Sequence, residues 1–347
     1  MRIRRSLPIL LVVVLVAAAL TLLVQLRKHA PPEPARLLPG ADGFVYVNLQ
    51  WIRRAKIIDQ LPPVIHDPEY QNFLDATGFE FERDLDEAAF AIHQPGVQQN
   101  LWADQEPRFT EVLVGRMDGD RVNRYLHKLA SSVDSYRSVD IYNIPLEGRT
   151  LRVAILGVDT VAASNHPDPQ VIHALIDRSR KLASPFGGPA FLRQYYKEVP
   201  LASFAWALMR IDPAKRRTPD TGPFDFSFLF TRPAVVVSSL RYLGSVHFRA
   251  EAFTASAEEA THVTEQLNTY LGLFHAAENA SSVQISDADV KAMLDSLEVH
   301  QRGDRAWLQA TFPAGFLKKA VAQMPVTSAP AMPPAATPPQ DHKTNSK

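Results

Sequence analysis

The chain has 347 residues, 46% of them hydrophobic, which suits one or two folded domains plus extensions and excludes global disorder. It contains no cysteine, which rules out disulfides, thiolate chemistry, Cys-ligated zinc, iron–sulfur clusters and a lipidated N-terminal cysteine. Its 37 basic and 37 acidic residues balance, but Arg2, Arg4, Arg5, Arg27 and Lys28 all fall in residues 1–28, leaving a net charge of −5 on the remainder. A mildly acidic body of this kind gives no electrostatic footprint for nucleic acid.

Leu7–Val24 is an uncharged run of 18 residues, 13 of them Leu, Val or Ile. A helix of that length spans about 27 Å, close to the thickness of a bilayer's hydrocarbon core. Thirteen such residues favour insertion by roughly 4–8 kcal/mol. Arg2, Arg4 and Arg5 precede the run, so the N-terminus is expected in the cytoplasm and the rest of the chain outside it. The competing reading is a signal peptide cleaved near Ala17-Ala18-Ala19, followed by secretion. The apolar run continues past that point through Leu20, Leu22, Leu23 and Val24, which favours an uncleaved anchor held in the bilayer by Leu7–Val24. Residues 29–36, His-Ala-Pro-Pro-Glu-Pro-Ala-Arg, read as an extended proline-rich spacer.

From Leu37 the pattern becomes globular. Phe44–Leu49, Asp86–Ile92 and Thr110–Gly115 read as strands. Val122, Tyr125, Leu126 and Leu129 share one face of a helix. Leu151–Leu156 and Thr160–Ser164 flank Gly157-Val-Asp159 as a hairpin, and Asp168-Pro169 opens a helix whose buried face is Val171, Ile172, Leu175 and Ile176. The same order then recurs. Ser203–Met209 is a strand, Val246–Ala252 alternates cleanly, and Ser256-Ala-Glu-Glu259 is a capping box opening a helix. A helix over Ser286–Leu297 precedes a hairpin, Leu297–His300 and Ala306–Phe312 about Gly303-Asp304. Phe316–Met324 reads as a closing helix.

The expected fold is therefore α+β: an N-terminal transmembrane helix (residues 1–28 with its cytoplasmic end), then two similar α+β units with largely antiparallel sheets, the alternative being ordinary α+β alternation in one large domain. The units span 37–182 and 190–323, joined by a linker at 183–189, with a Pro/Ala-rich disordered tail over 324–347.

Catalytic signatures are sparse. There is no Gly-x-Ser-x-Gly elbow, no His-Glu-x-x-His and no phosphate-binding glycine loop. His66-Asp67 and His166-Pro-Asp168 pair a histidine with an acid, but in segments where Asp ordinarily serves as a cap. Glu80, Glu82, Asp84, Asp86 and Glu87 crowd around Arg83 and read as a solvated stretch before a strand. Arg302-Gly303-Asp304 is explained as a hairpin turn. No catalytic, cofactor-binding or metal-binding residue is expected. The least ordinary segment is Pro223–Phe230, where Phe224, Phe226, Phe228 and Phe230 alternate as on one face of a strand. That face is either core or an apolar edge for a lipid, peptide or protein.

Three phrases carry a family resemblance: Leu38-Pro-Gly-Ala-Asp-Gly-Phe-Val-Tyr-Val-Asn-Leu49, Gly78-Phe-Glu-Phe-Glu-Arg-Asp-Leu-Asp-Glu-Ala-Ala-Phe-Ala91 and Glu298-Val-His-Gln-Arg-Gly-Asp-Arg-Ala-Trp-Leu-Gln-Ala-Thr-Phe312. Together they resemble a family of uncharacterised bacterial membrane-anchored proteins across residues 37–323. The resemblance implies a single-pass anchor in the bacterial cell membrane and an extracytoplasmic α+β ectodomain, with no catalytic residues to carry over. The sequence thus points to a non-enzymatic binding or scaffolding ectodomain with an envelope protein or lipid as partner. The alternatives are a hydrolase whose site is assembled from scattered residues and an apolar-ligand carrier using the Phe224–Phe230 edge.

Overall fold

A computed structural model describes residues 30–55, 67–94, 108–146, 148–180, 187–215, 226–280, 288–313 and 315–316. The expected transmembrane segment, most of the closing helix and the C-terminal tail lie outside the described residues, as does Phe224. Among the described residues no helix is long and apolar enough to cross a membrane.

The architecture is mixed helix and strand around one antiparallel sheet. Its strands are β1 (Gly43–Asn48), β2 (Leu85–His93), β3 (Arg108–Gly115), β4 (Ser132–Tyr136), β5 (Val139–Leu146), β6 (Arg149–Ile155), β7 (Thr160–Ser164), β8 (Ser203–Ile211), β9 (Ala234–Tyr242), β10 (Val246–Phe253), β11 (Glu298–Arg302) and β12 (Arg305–Phe312). They form a single 12-stranded sheet in the order β11-β12-β10-β9-β8-β1-β2-β3-β7-β6-β5-β4. The segments 37–182 and 190–323 therefore share one sheet. They meet where β1 pairs with β8, Phe44 opposite Leu208 and Tyr46 opposite Trp206. In the N-terminal segment β3 is followed by a helix and four strands, and the last of these, β7, returns beside β3. In the C-terminal segment β10 is followed by two helices and two strands, and β12 returns beside β10.

The helices are α1 (Glu33–Leu37), α2 (Leu49–Arg54), α3 (Pro68–Thr77), α4 (Phe81–Asp84), α5 (Gly119–Leu129), α6 (Gln170–Arg180), α7 (Ala190–Tyr195), α8 (Ala257–Ala280) and α9 (Ala288–Asp295). Period-two alternation assigns each strand residue to one of two faces. On the first face, Phe44, Tyr46, Ala89, Ala91, Val112, Ala154, Ala162, Trp206 and Leu208 pack under α1, α6 and α7 in the largest hydrophobic cluster. Ile172, Leu175 and Ile176 of α6 are fully buried there, as their spacing predicts. On the second face, smaller clusters form under α5, under α3 and α4, under α2, and under α8.

Residues 30–36 correct the expectation of an extended spacer. Glu33–Leu37 is a helical turn with Pro34 at its start, Ala35 is fully buried, and Leu37 and Leu38 enter the main core. Proline at the first helical positions costs nothing, because its missing N–H has no partner there anyway. Gly188 fixes the same corner. Its φ is 95°, and a Cβ at that position would lie 3.2 Å from the Cα of Arg36.

Pro223–Phe230 is not a strand over its described part. Ser227–Leu229 is a 3₁₀ turn, with Leu229 and Phe230 buried against α8 and Phe226 and Phe228 exposed. β8 is already paired on both sides, with β1 and β9, so the sheet has no slot beside it for the phenylalanine segment.

Candidate functional site

The exposed phenylalanines do not stand alone. The Phe228 ring meets the ring of Tyr270 edge-on, with centroids 5.5 Å apart. Tyr270 lies on α8, and Leu273 follows three residues later on the same helical face. Phe226, Phe228, Tyr270 and Leu273 are 51%, 41%, 46% and 61% exposed, a cluster of large apolar groups on the surface. The cause is visible in α8. Ala260 and Val263 are buried against the sheet and Leu267 is partly so, whereas Tyr270 and Leu273 further along are exposed. Exposed Asn268 and Thr269 border the patch. The α8 contribution is an apolar signal that the phenylalanine alternation did not include.

The start of α8 is firmly held. The hydroxyl of Ser256 accepts from the N–H of Glu259, as a capping box requires. The Glu259 carboxylate does not return to Ser256. It accepts from the backbone N–H groups of Thr231 and Arg232, at 2.7 and 3.1 Å, and from the Thr231 hydroxyl. These bonds tie the loop that carries the phenylalanines to the helix that carries Tyr270. They also hold the Glu259 carboxyl below its usual range, against the opposing pull of desolvation.

Near the ends of β1, β8 and β10 lies an open pocket of about 420 Å³, lined by Asp42, Tyr195, Arg210 and Thr254 among others. Arg210 stacks over the Phe191 ring at 4.3 Å, and Asp42 accepts from the backbone N–H of Gln94. The four pockets lined by described residues do not include Phe226, Phe228 or Phe230 in their walls.

A hydrolytic site requires a histidine, a carboxylate and a nucleophile joined by hydrogen bonds in a concave space. His93 Nε2 lies 3.1 Å from the Thr110 hydroxyl, which lies 2.9 Å from the Ser164 hydroxyl. Thr110 and Ser164 are fully buried inside the sheet. Burial, then the neighbouring His166, pushes the His93 pKa down to about 4, with Asp42 opposing. The imidazole is thus a neutral structural partner. His247 sits between two hydroxyls, Ser245 and Thr311, each at 3.2 Å, with no carboxylate bonded to it among the described residues.

The acidic stretch is taken up by structure. Asp84 bonds Arg83 and also faces Arg116 at 3.5 Å, Asp86 pairs with Arg53, Glu82 accepts from Tyr70, and Glu87 accepts from Tyr46 at 2.9 Å. Asp67 and Asp168 cap α3 and α6, as turn chemistry suggests. Among the described residues no group of three or more His, Asp or Glu is placed to hold a metal ion.

This arrangement defines the protein as an α+β protein with a long antiparallel sheet and an exposed aromatic patch. No protein-family model matches the chain, and no curated protein does. Among solved structures the chain is similar to TP0453. Crystal form III gives a TM-score of 0.48 at 9% identity, covering 84% of this chain and 98% of that one. Form I gives 0.44 at 12%, covering 84% and 97%, and form IV gives 0.39 at 9%, covering 84% and 97%.

Proposed function

We propose that the protein is a single-pass membrane protein of the bacterial envelope, and that its ectodomain binds an apolar segment of a partner protein through Phe226, Phe228, Tyr270 and Leu273. The exposed patch carries this reading. Aromatic groups clustered on a surface with a polar border are the composition of a protein contact, and single exposed apolar residues are not. The anchor is the Leu7–Val24 run, and the resemblance of residues 37–323 to membrane-anchored extracytoplasmic proteins agrees with it. With α1 folded into the core from Glu33 onward, the link between anchor and sheet is short. We also propose that 37–182 and 190–323 are copies of one α+β unit. In its support, three antiparallel strands, a helical connection and a strand returning beside the third occur in both.

Two measurements test the function. A reporter fused after Lys347 should be active only outside the cytoplasm, and activity inside the cell overturns the topology. A photo-crosslinking residue at Phe226, Phe228 or Tyr270 should trap one protein in intact cells. The same probe at Val158, which is 89% exposed on the hairpin between β6 and β7, should not. Leu273→Asp should abolish that adduct, because a buried charge in an apolar contact is strongly unfavourable. Equal trapping at Val158 removes the patch as the contact surface.

A further inference from the structure

The first face of the sheet changes character over β9, β10, β12 and β11. Beyond the core residues Val235, Val237 and Phe253, the side that Phe44 and Trp206 occupy carries Arg241, His247, Arg249, Glu251, Trp307, Gln309 and Thr311. None of them belongs to a hydrophobic cluster. A pocket of about 240 Å³ opens among them, lined by Arg241, His247, Arg249, Glu298, Gln309 and Thr311 with their neighbours.

The two arginines differ in how they are held. Arg249 is fixed twice, by Glu251 at 2.8 Å and by the Trp307 ring 5.2 Å beneath its guanidinium. Arg241 lies directly across the ladder from His247 and is half-buried, yet its side chain has no hydrogen bond, ion pair or ring contact among the described residues. A half-buried guanidinium with no protein partner has lost hydration without replacement, and an anion supplies what is missing.

We propose that this pocket binds a phosphate-type oxyanion between Arg241 and Arg249. Arg241 gives the charge-assisted fork. Arg249 presents its remaining N–H groups from a position fixed before binding, which lowers the ordering cost. His247 and the Thr311 hydroxyl, 3.2 Å apart, line the floor between them as further polar groups. Donors arriving from two strands in several directions fit a tetrahedral oxyanion better than a planar carboxylate, which a single fork satisfies. Glu298 opposes binding. Its carboxylate is held at the rim by Gln309 at 2.6 Å and His300 at 3.1 Å.

The test uses the full-length chain in neutral detergent at low ionic strength, with calorimetric titration. The probes are inorganic phosphate, short-chain phosphatidylglycerol and short-chain phosphatidylcholine. Binding of inorganic phosphate identifies a free oxyanion site. Binding of phosphatidylglycerol alone identifies a lipid headgroup as the source, and either result supports the proposal. Arg241→Ala should weaken binding about tenfold or more, because a hydrogen bond to a charged partner is worth roughly 1.5–3 kcal/mol. Glu298→Gln should strengthen it about threefold by removing the like charge. Arg241 makes no contact that the fold needs, so its loss should leave the circular dichroism spectrum and thermal midpoint unchanged. The proposal is overturned if neither anionic probe binds, if phosphatidylcholine binds as well as phosphatidylglycerol, or if Arg241→Ala binds as tightly as the wild type.

Discussion

One face of one sheet has two different surfaces. Across β1, β2, β3 and β7 it carries Phe44, Ala89, Val112 and Ala162, sealed under α1 and α6. Across β10 and β12 it carries His247, Arg249, Glu251, Trp307 and Gln309, and among the described residues the hydrophobic cluster there lies on the second face, under α8. Strand pairing is continuous through both regions, so backbone hydrogen bonding does not distinguish them. The side chains do. Strands buried on both faces are apolar at nearly every position, as in Phe44-Val-Tyr-Val47, whereas strands covered on one face alternate, as in His247-Phe-Arg-Ala-Glu-Ala252. A sheet can therefore keep its register across a boundary where its role passes from core to surface.

The sharpest way to break that contrast is to truncate one large ring on each side of the boundary. Phe44 is fully buried and its ring lies 5.9 Å from that of Phe191. Phe44→Ala should cost about 3–5 kcal/mol in chemical denaturation. Trp307 is half-buried and touches Arg249 and His300 from the open side. Trp307→Ala should cost under about 1.5 kcal/mol, the scale of a partly exposed cation–π contact plus modest burial. Equal losses would mean that the polar face is covered in solution.

A second test concerns charge at the boundary. Glu251 is 8% exposed and bonds both Arg249, at 2.8 Å, and Arg305, at 3.3 Å, while Arg305 also reaches Glu198 at 3.1 Å. Glu251→Gln keeps the shape and removes the charge. The expected loss is about 1–2 kcal/mol, because both arginines retain access to water. A denaturation midpoint unmoved by this change would show that the network is surface decoration.

Much of this boundary was legible in the sequence, and the misses have physical causes. The alternation over Val246–Ala252 marks the half-covered strand, and the spacing of Ile172, Leu175 and Ile176 marks the helix that seals the other half. Gly303 turns the last hairpin at a φ of 60°. The β4–β5 hairpin escaped because its turn is Arg137-Ser138, both at positive φ, with no glycine or asparagine to signal it. β9 escaped because Ala234-Val-Val-Val237 is a continuous apolar run, whose period identifies neither strand nor helix. The phenylalanine alternation was misleading as structure, since Phe226 and Phe228 are exposed while Phe230 is buried. Alternation alone does not make a strand, which also needs a neighbour with free backbone groups. Of the exposed aromatic patch, Phe226 and Phe228 were legible. Tyr270 falls on the apolar face expected of the helix opened by Ser256, and only the structure shows its ring exposed; Leu273 lies outside that expected face and carries no signal in the sequence. The proposed oxyanion pocket left no local motif, because its residues come from four strands.

The smallest expected effect lies within the sealed region, where two titrating groups pull stability in opposite directions. Glu111 sits between Phe90 and Ala163 on neighbouring strands, and burial pushes its pKa up to about 7. Its folded form holds a proton that the unfolded chain releases near pH 4.5, so stability falls as pH rises from about 4.5 to 7. His93, on the opposite face, is pushed down to about 4 from 6.5, so its folded form resists the proton that the unfolded chain accepts, and stability rises with pH across that interval. Each contribution is about 1–2 kcal/mol once the water that reaches these partly exposed side chains is allowed for. The wild type should therefore show a nearly flat profile from about pH 4.5 to 6.5, with a slight fall towards 7. Glu111→Gln should leave a profile that only rises and then levels. His93→Gln should leave one that only falls. Urea denaturation at half-unit pH steps separates the three curves. A wild-type profile that both variants reproduce unchanged would mean that water reaches Glu111 and His93 freely, and that the covered half is less sealed than its packing implies.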